Sequence, residues 1–191
     1  MAISSMSMAP SPLPFRGARI VISMGVSSSG KTVVGEAIAR RLHAPFLDGD
    51  NYHPEANIKK MSAGIPLTDE DRWPWLKKLA EALHKAAEPK GIAVGACSSL
   101  KRVYRDYLTE VAGEPIVFVY LDGSYEVIDA RIKARTGHFM PESLLKSQFA
   151  TLEPPAPDEN AIAVPVTDSV DKIADTVVRK LSYLKSFKRG Q

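Results

Sequence analysis

Five short apolar runs, separated by stretches with helical spacing, restrict this chain to a narrow set of folds. "RIVISM" stops at Gly25, and "KTVVGEAIARRLH" then places Val33, Ala37, Ile38 and Leu42 at helical intervals. The pattern recurs as "APFLD", as "GIAVGAC" before "LKRVYRDYLTEV", as "IVFVYLD" before "SYEVIDARIKAR", and as "AIAVPV" before "VDKIADTVVRKLSYL". Strands that alternate with helices pair in parallel, because each helix carries the chain back across the sheet. The expected fold is therefore α/β: three layers, with helices on both faces of a parallel five-stranded sheet and ligands beyond the strands' C-terminal ends. At 191 residues and 45% hydrophobic content, one core and one domain are expected. The Pro-dense "EPPAPDEN" reads as a loop before the last strand.

Several function classes fall away. No run reaches the ~18 apolar residues needed to span a bilayer, so no membrane partner is expected. A net charge of +3 is too slight to point to nucleic acid, and the basic tail "KSFKRGQ" reads as a solvated helix end. The single Cys97 excludes an internal disulfide and fits a reducing, cytoplasmic setting. It reads as a small buried hydrophobe, with a reactive thiol at a strand end as the alternative. Residues 1–18 lack acids and a long apolar segment, so they read as a disordered extension rather than a secretory signal, with a transit peptide as the alternative. The folded domain is expected over residues 19–187.

"GVSSSGKT", Gly25 to Thr32, matches GxxxxGK[ST] with a strand entering it and a helix leaving it. Backbone N–H groups of Gly25, Val26, Ser27, Ser28, Ser29 and Gly30, together with the helix N-terminus, form a phosphate cradle. Lys31 would reach the β- and γ-phosphates of ATP, and Thr32 would place its hydroxyl on Mg²⁺. No DxxG or NKxD occurs, which disfavours a guanine-nucleotide switch.

The second strand ends "FLDGDNYH", bringing Asp48 and Asp50 to the sheet edge where the first helix begins. Alternating acids point different ways in extended chain. Asp48 is assigned to the metal and Asp50 to the acceptor hydroxyl as base; an Asp-Gly turn is the plainer alternative, and Asp122 is a rival metal acid. In "CSSLKRVYRDYL", Leu100, Val103, Tyr104, Tyr107, Leu108 and Val111 define an apolar helix face, leaving Lys101 and Arg105 one turn apart on another. Cations early in a helix oppose its dipole unless an anion sits there, and an acceptor's carboxylate or phosphate would be such an anion. A solvated surface pair is the alternative. Arg131 and Arg135 lie near the end of the next helix, followed by "TGHFMPESLLKSQFATLE", which reads as a short lid with a hinge at Gly137 and a return helix from Pro141.

With "FLDGDNYHPEANIKKMSAGIPLTDEDRWPWL", "ACSSLKRVYRDYL" and "RTGHFMPESLLKSQFATLEPP" added to the phosphate loop, the chain from about Ile20 to Leu184 resembles the small P-loop gluconokinases, which are similar in fold to shikimate and nucleoside monophosphate kinases. The resemblance implies strand order 2-3-1-4-5, a lid around residues 135–150, and a homodimer. It implies ATP-dependent, Mg²⁺-assisted phosphorylation of D-gluconate to 6-phosphogluconate, feeding the pentose phosphate pathway. Substrate contacts are implied at Asp50, His53, Arg72, Lys101, Arg105, His138 and Gln148, and nucleotide contacts at the loop, Arg131 and Arg135. Each has a local rival: "TDED" before Arg72 offers a Thr68-to-Asp71 cap, and Pro74 could open the helix bearing Trp75, Leu76, Leu79 and Leu83. Two positions depart from the family's usual pattern. Ser28 stands where a glycine is usual and is expected either to take positive φ, at roughly 1 to 2 kcal/mol, or to shift the loop. Ser99 stands where Ala is usual and should be tolerated at a helix start. Kinases for another small hydroxy acid or a nucleoside monophosphate, and a non-catalytic nucleotide-binding regulator, are the alternatives.

Overall fold

The structure, a computed structural model, describes residues 18–134 and 142–186. Its elements run β1 (Ile20–Met24), α1 (Lys31–Leu42), β2 (Phe46–Asp48), a 3₁₀ turn (Gly49–Tyr52), α2 (Glu55–Ser62), α3 (Asp69–Ala87), β3 (Ala93–Ala96), α4 (Arg102–Ala112), β4 (Ile116–Asp122), α5 (Tyr125–Ala134), α6 (Glu142–Thr151), β5 (Ala161–Pro165) and α7 (Val170–Ser186). The five strands are parallel in the order β2-β3-β1-β4-β5, as the alternation and the resemblance predict. Arg135, Gly137, His138 and Pro141, which carry most of the expected lid, lie outside the described residues.

Period-two alternation along the strands divides the core between the two faces of the sheet. Val21 of β1, with Val117, Val119 and Leu121 of β4, meets Ala37 and Ile38 of α1 and Ile173 and Val177 of α7. On the other face, Ile20, Ile22 and Met24 with Ile116 and Phe118 meet Leu76, Leu79 and Leu83 of α3 and Leu108 of α4. Cys97 lies buried in this second layer, as the hydrophobic reading predicts, and burial pushes its thiol up to about 11. No helix of the described residues is long and apolar enough to cross a membrane.

The helix faces differ from expectation at three places. Val33 is 49% exposed and Val34 is buried, because α1 starts at Lys31 and turns Val33 outward. On α4, Val103 is 48% exposed while Arg105 is buried, the reverse of the amphipathic reading. Pro74 does not open α3. A Thr68–Asp71 capping box starts that helix at Asp69 and leaves Pro74 inside it, where the ring lacks the N–H that would bond back to Glu70.

Candidate active site

The phosphate loop joins the central strand β1 to α1 at the C-terminal edge of the sheet. Gly30 occupies the N-cap of α1 at φ 101, a conformation natural to glycine, and brings no side-chain cap with it. The first turn of α1 also contains no acid, so its N–H groups remain available to an anion. Ser28 does take positive φ, at 61, and the loop follows the first of the two expected courses. Ser99 also has positive φ, at 44, and lies in the turn before α4 rather than at a helix start.

Within the loop, Lys31 Nζ donates to the Val26 carbonyl at 2.9 Å. Burial pulls the Lys31 ammonium below the usual lysine range, and the charges of Asp50, Cys97 and Asp48 oppose that shift. Thr32 Oγ1 donates to Asp48 Oδ2 at 2.9 Å, so the two residues assigned to the metal stand side by side. Asp122, the rival, instead accepts from the Tyr120 hydroxyl at 3.3 Å. Asp48 and Asp50 separate by a turn rather than by strand alternation: Asp48 Oδ1 accepts from the Asp50 amide at 3.1 Å and caps the 3₁₀ turn that carries Asp50 away. Gly49 is required within that turn, since a Cβ there would lie 2.4 Å from the Ala96 carbonyl.

Arg131 reaches the loop from α5, donating to the carbonyls of Ser29 (3.3 Å) and Val166. Gln148 of α6 is on the loop as well. Its Oε1 accepts from the Ser27 amide at 2.7 Å and its Nε2 donates to the Ser27 hydroxyl at 2.9 Å. The structure thus places Gln148 against the phosphate loop, not among the expected acceptor residues, because α6 returns over that loop.

The acceptor side gathers around α3. His53 stacks on Trp75 with ring centroids 3.9 Å apart, and Trp75 Nε1 donates to the Gly49 carbonyl at 2.7 Å. Burial lowers the His53 pKa, with Asp50 opposing and Arg72 reinforcing, so the neutral imidazole is favoured at neutral pH. Arg72 donates to the carbonyls of Leu67 and Thr68, and its guanidinium lies 5.5 Å from the centre of the Tyr104 ring. Lys101 Nζ lies at the same distance from that ring and donates to both carboxylate oxygens of Asp69, at 2.9 and 3.0 Å. The residues from β2, α3 and α4 that the sequence singled out therefore converge, with one exception.

That exception is Arg105. It is 1% exposed, paired with Glu159 through Nε at 2.6 Å and Nη2 at 2.9 Å, and Nη1 donates to the carbonyls of Ser99 and Leu100. A guanidinium so occupied is a strut, and the expectation that it binds an acceptor carboxylate is corrected. The anions expected at the start of α4 are the protein's own: Glu153 accepts from the Arg102 amide at 2.8 Å and Glu159 holds Arg105. Asp69, Tyr104 and Trp75 are the site residues that sequence reasoning passed over. Asp69 reads as one more acid in a capping sequence, and the two aromatics read as core, where they do lie, with the Trp75 Nε1 and Tyr104 hydroxyl bonds tying them to the site.

A shikimate kinase family model matches residues 27–182. The thermosensitive gluconokinase of Escherichia coli (strain K12) is 54% identical over 142 residues, 74% of this chain and 75% of that one. The chain belongs to the gluconokinase family. A probable gluconokinase of Xenopus tropicalis is 42% identical over 185 residues, covering 87% of this chain and 97% of its own. Among solved structures, a gluconokinase from Sinorhizobium meliloti 1021 superposes with a TM-score of 0.81 at 44% identity, over 92% of this chain and 99% of that one. Membership of this kinase family implies use of ATP and a small-molecule acceptor.

Proposed function

We infer that this chain is a gluconokinase, transferring the γ-phosphoryl group of ATP to D-gluconate and giving 6-phospho-D-gluconate. One observation carries the reading in the geometry: the turn bearing Asp50 lies between the phosphate loop and the acceptor face, tied to the first through Asp48, which accepts from Thr32, and to the second through the Gly49 carbonyl, which accepts from the Trp75 that His53 stacks on. The high identity to gluconokinases supports the choice of acceptor.

The residues take the following roles. The α1 N-terminus and the loop amides bind the phosphates, and Lys31 neutralises charge on the transferring group. Asp50 orients the acceptor hydroxyl and takes its proton as the oxygen bonds to the γ-phosphorus and the bond to the β,γ-bridging oxygen breaks. Lys101 and Arg72 hold the gluconate carboxylate through charge-assisted hydrogen bonds, and neutral His53, fixed against Trp75, hydrogen-bonds a sugar hydroxyl. Arg131 steadies the loop from the α5 side through the Ser29 carbonyl, from where it would face the bound phosphates. Thr32 and Asp48 form a hard-oxygen pair that fits Mg²⁺, an ion commonly held by one or two protein oxygens along with phosphates and water. When bound, it would supply neutralisation of the negative charge on the phosphates.

A panel of acceptors in a coupled ATP-consumption assay tests this reading. Gluconate-dependent turnover well above that with glucose, shikimate or a nucleoside monophosphate is expected. Preference for another acceptor, or ATP binding with no turnover, would overturn it.

A further inference from the structure

The acceptor face contains a carboxylate that phosphoryl transfer does not use. Asp69 is the first residue of α3, but the reciprocal cap of that helix is made by Thr68 and Asp71. Asp69 instead turns to the acceptor side, where both its oxygens bind Lys101 Nζ and its Oδ1 also accepts from the Tyr104 hydroxyl. Arg72 Nη1 lies 3.5 Å from that same hydroxyl. Trp73 packs edge-on against Tyr104 at 5.5 Å and so fixes the ring that both cations approach.

The arrangement has an electrostatic consequence. Arg72 and Lys101 bring two positive charges to the head-group end of the acceptor, and His53 adds none while neutral. Asp69 stays ionised, because the Tyr104 hydrogen bond and then the Lys101 ammonium hold its carboxyl below the usual range. Among the described residues at that end, Arg72, Lys101 and Asp69 sum to one positive charge. A singly charged carboxylate balances it, whereas a doubly charged head group would also face the fixed anion at close range.

We propose that Asp69 is a specificity-determining residue, whose fixed negative charge fits the head-group end of the acceptor site to a singly charged group and excludes doubly charged ones. This rests on the reading that Lys101 and Arg72 receive the gluconate carboxylate. It distinguishes Asp69 from a simple clamp on Lys101, since a clamp would affect all anions alike.

The test uses two near-isosteric probes, methanesulfonate and methylphosphonate, as competitive inhibitors against gluconate at saturating ATP. Under mildly alkaline conditions the first carries one charge and the second two. The unmodified enzyme should prefer the sulfonate. Asp69→Asn should move the ratio of inhibition constants toward the phosphonate by about tenfold, the order expected for one unit charge a few ångströms away at partial solvent screening. Lys101→Gln, which removes a cation, should move that ratio the opposite way, and Tyr104→Phe, which changes no charge, should leave it in place. Equal weakening of both probes by Asp69→Asn would overturn the proposal and make Asp69 a positioning residue for Lys101. An unshifted ratio in Lys101→Gln would also overturn it, independently of how Asp69→Asn folds. Failure of the underlying reading looks different: Lys101→Gln would then leave the gluconate KM itself unchanged.

Discussion

The two ends of the active site are built from different materials. At the end proposed for the nucleotide the groups presented are mostly backbone amides, set by a glycine N-cap at Gly30, a positive φ at Ser28 and a helix N-terminus with no side-chain cap. At the acceptor end they are side chains from three elements, each held by another side chain: His53 by Trp75, Lys101 by Asp69, and the turn before Lys101 by Arg105 and Glu159. The first kind of site tolerates side-chain change wherever the backbone course survives. The second ties recognition to a network of charges, so that a substitution can damage it through folding as easily as through contact.

The widest break between the two ends is expected from Arg105→Ala. It strips the partner from Glu159, a carboxylate that burial alone would drive upward and that Arg105 holds down. Removing one member of a buried pair typically costs about 3 to 5 kcal/mol, so the melting temperature should fall by many degrees. Thermal unfolding followed by circular dichroism measures this, and an unchanged Tm with only a raised gluconate KM would return Arg105 to the acceptor site. Lys31→Ala should do the opposite: retain the fold and lower kcat by ~10² to 10³, since a cation aimed at developing charge is worth that much in rate. Near-normal turnover by the folded variant would remove Lys31 from the chemistry.

A smaller effect belongs to Lys101→Ala. A charge-assisted hydrogen bond of roughly 1.5 to 3 kcal/mol that acts in ground and transition states alike should raise the gluconate KM by about tenfold or more, with kcat and the ATP KM little altered. Steady-state kinetics with each substrate varied in turn checks this, and a loss confined to kcat would contradict it. Least of all, Ser28→Gly should relieve the left-handed backbone at that position and raise stability by up to about 1 kcal/mol, the gain being limited by glycine's greater freedom when unfolded. Denaturant titration would show the shift. A clear loss of stability would mean that the Ser28 side chain holds the loop in some other way.

How far the sequence could be read follows the same division. The strands were legible because β-branched runs bounded by turns carry their own signal, and the phosphate loop because its whole mechanism is local to eight residues. Thr32 and Asp48 stand side by side because a helix start and a strand end meet at one sheet edge, a juxtaposition the alternating pattern carries. The acceptor end was harder. Arg105 reads as outward-facing because an amphipathic pattern counts arginine as polar, and its partner Glu159 lies 54 positions away with nothing in the pattern to link them. The contact of Gln148 with the phosphate loop is hidden in the same way, since its partner Ser27 is 121 positions off. Pro74 competed with the capping box as a helix start, and the cap prevailed because it satisfies orphan amides reciprocally.

The strand order has a consequence for how the enzyme comes into being. β1, which delivers the phosphate loop, is the central strand, and its hydrogen-bonding neighbours are β3 and β4. Ile20 therefore pairs with Ala93 on one side and with Ile116 on the other. A ribosome makes β1 early but must continue through Asp122 before both its edges can be covered, and the interval is filled by helices that find their apolar partners on a sheet still incomplete. Non-local parallel pairing of this kind slows folding and leaves an apolar strand open to wrong neighbours meanwhile. The motif that is easiest to recognise thus waits on two strands made after it, and nucleotide binding can serve as a report that β1 has gained both its neighbours.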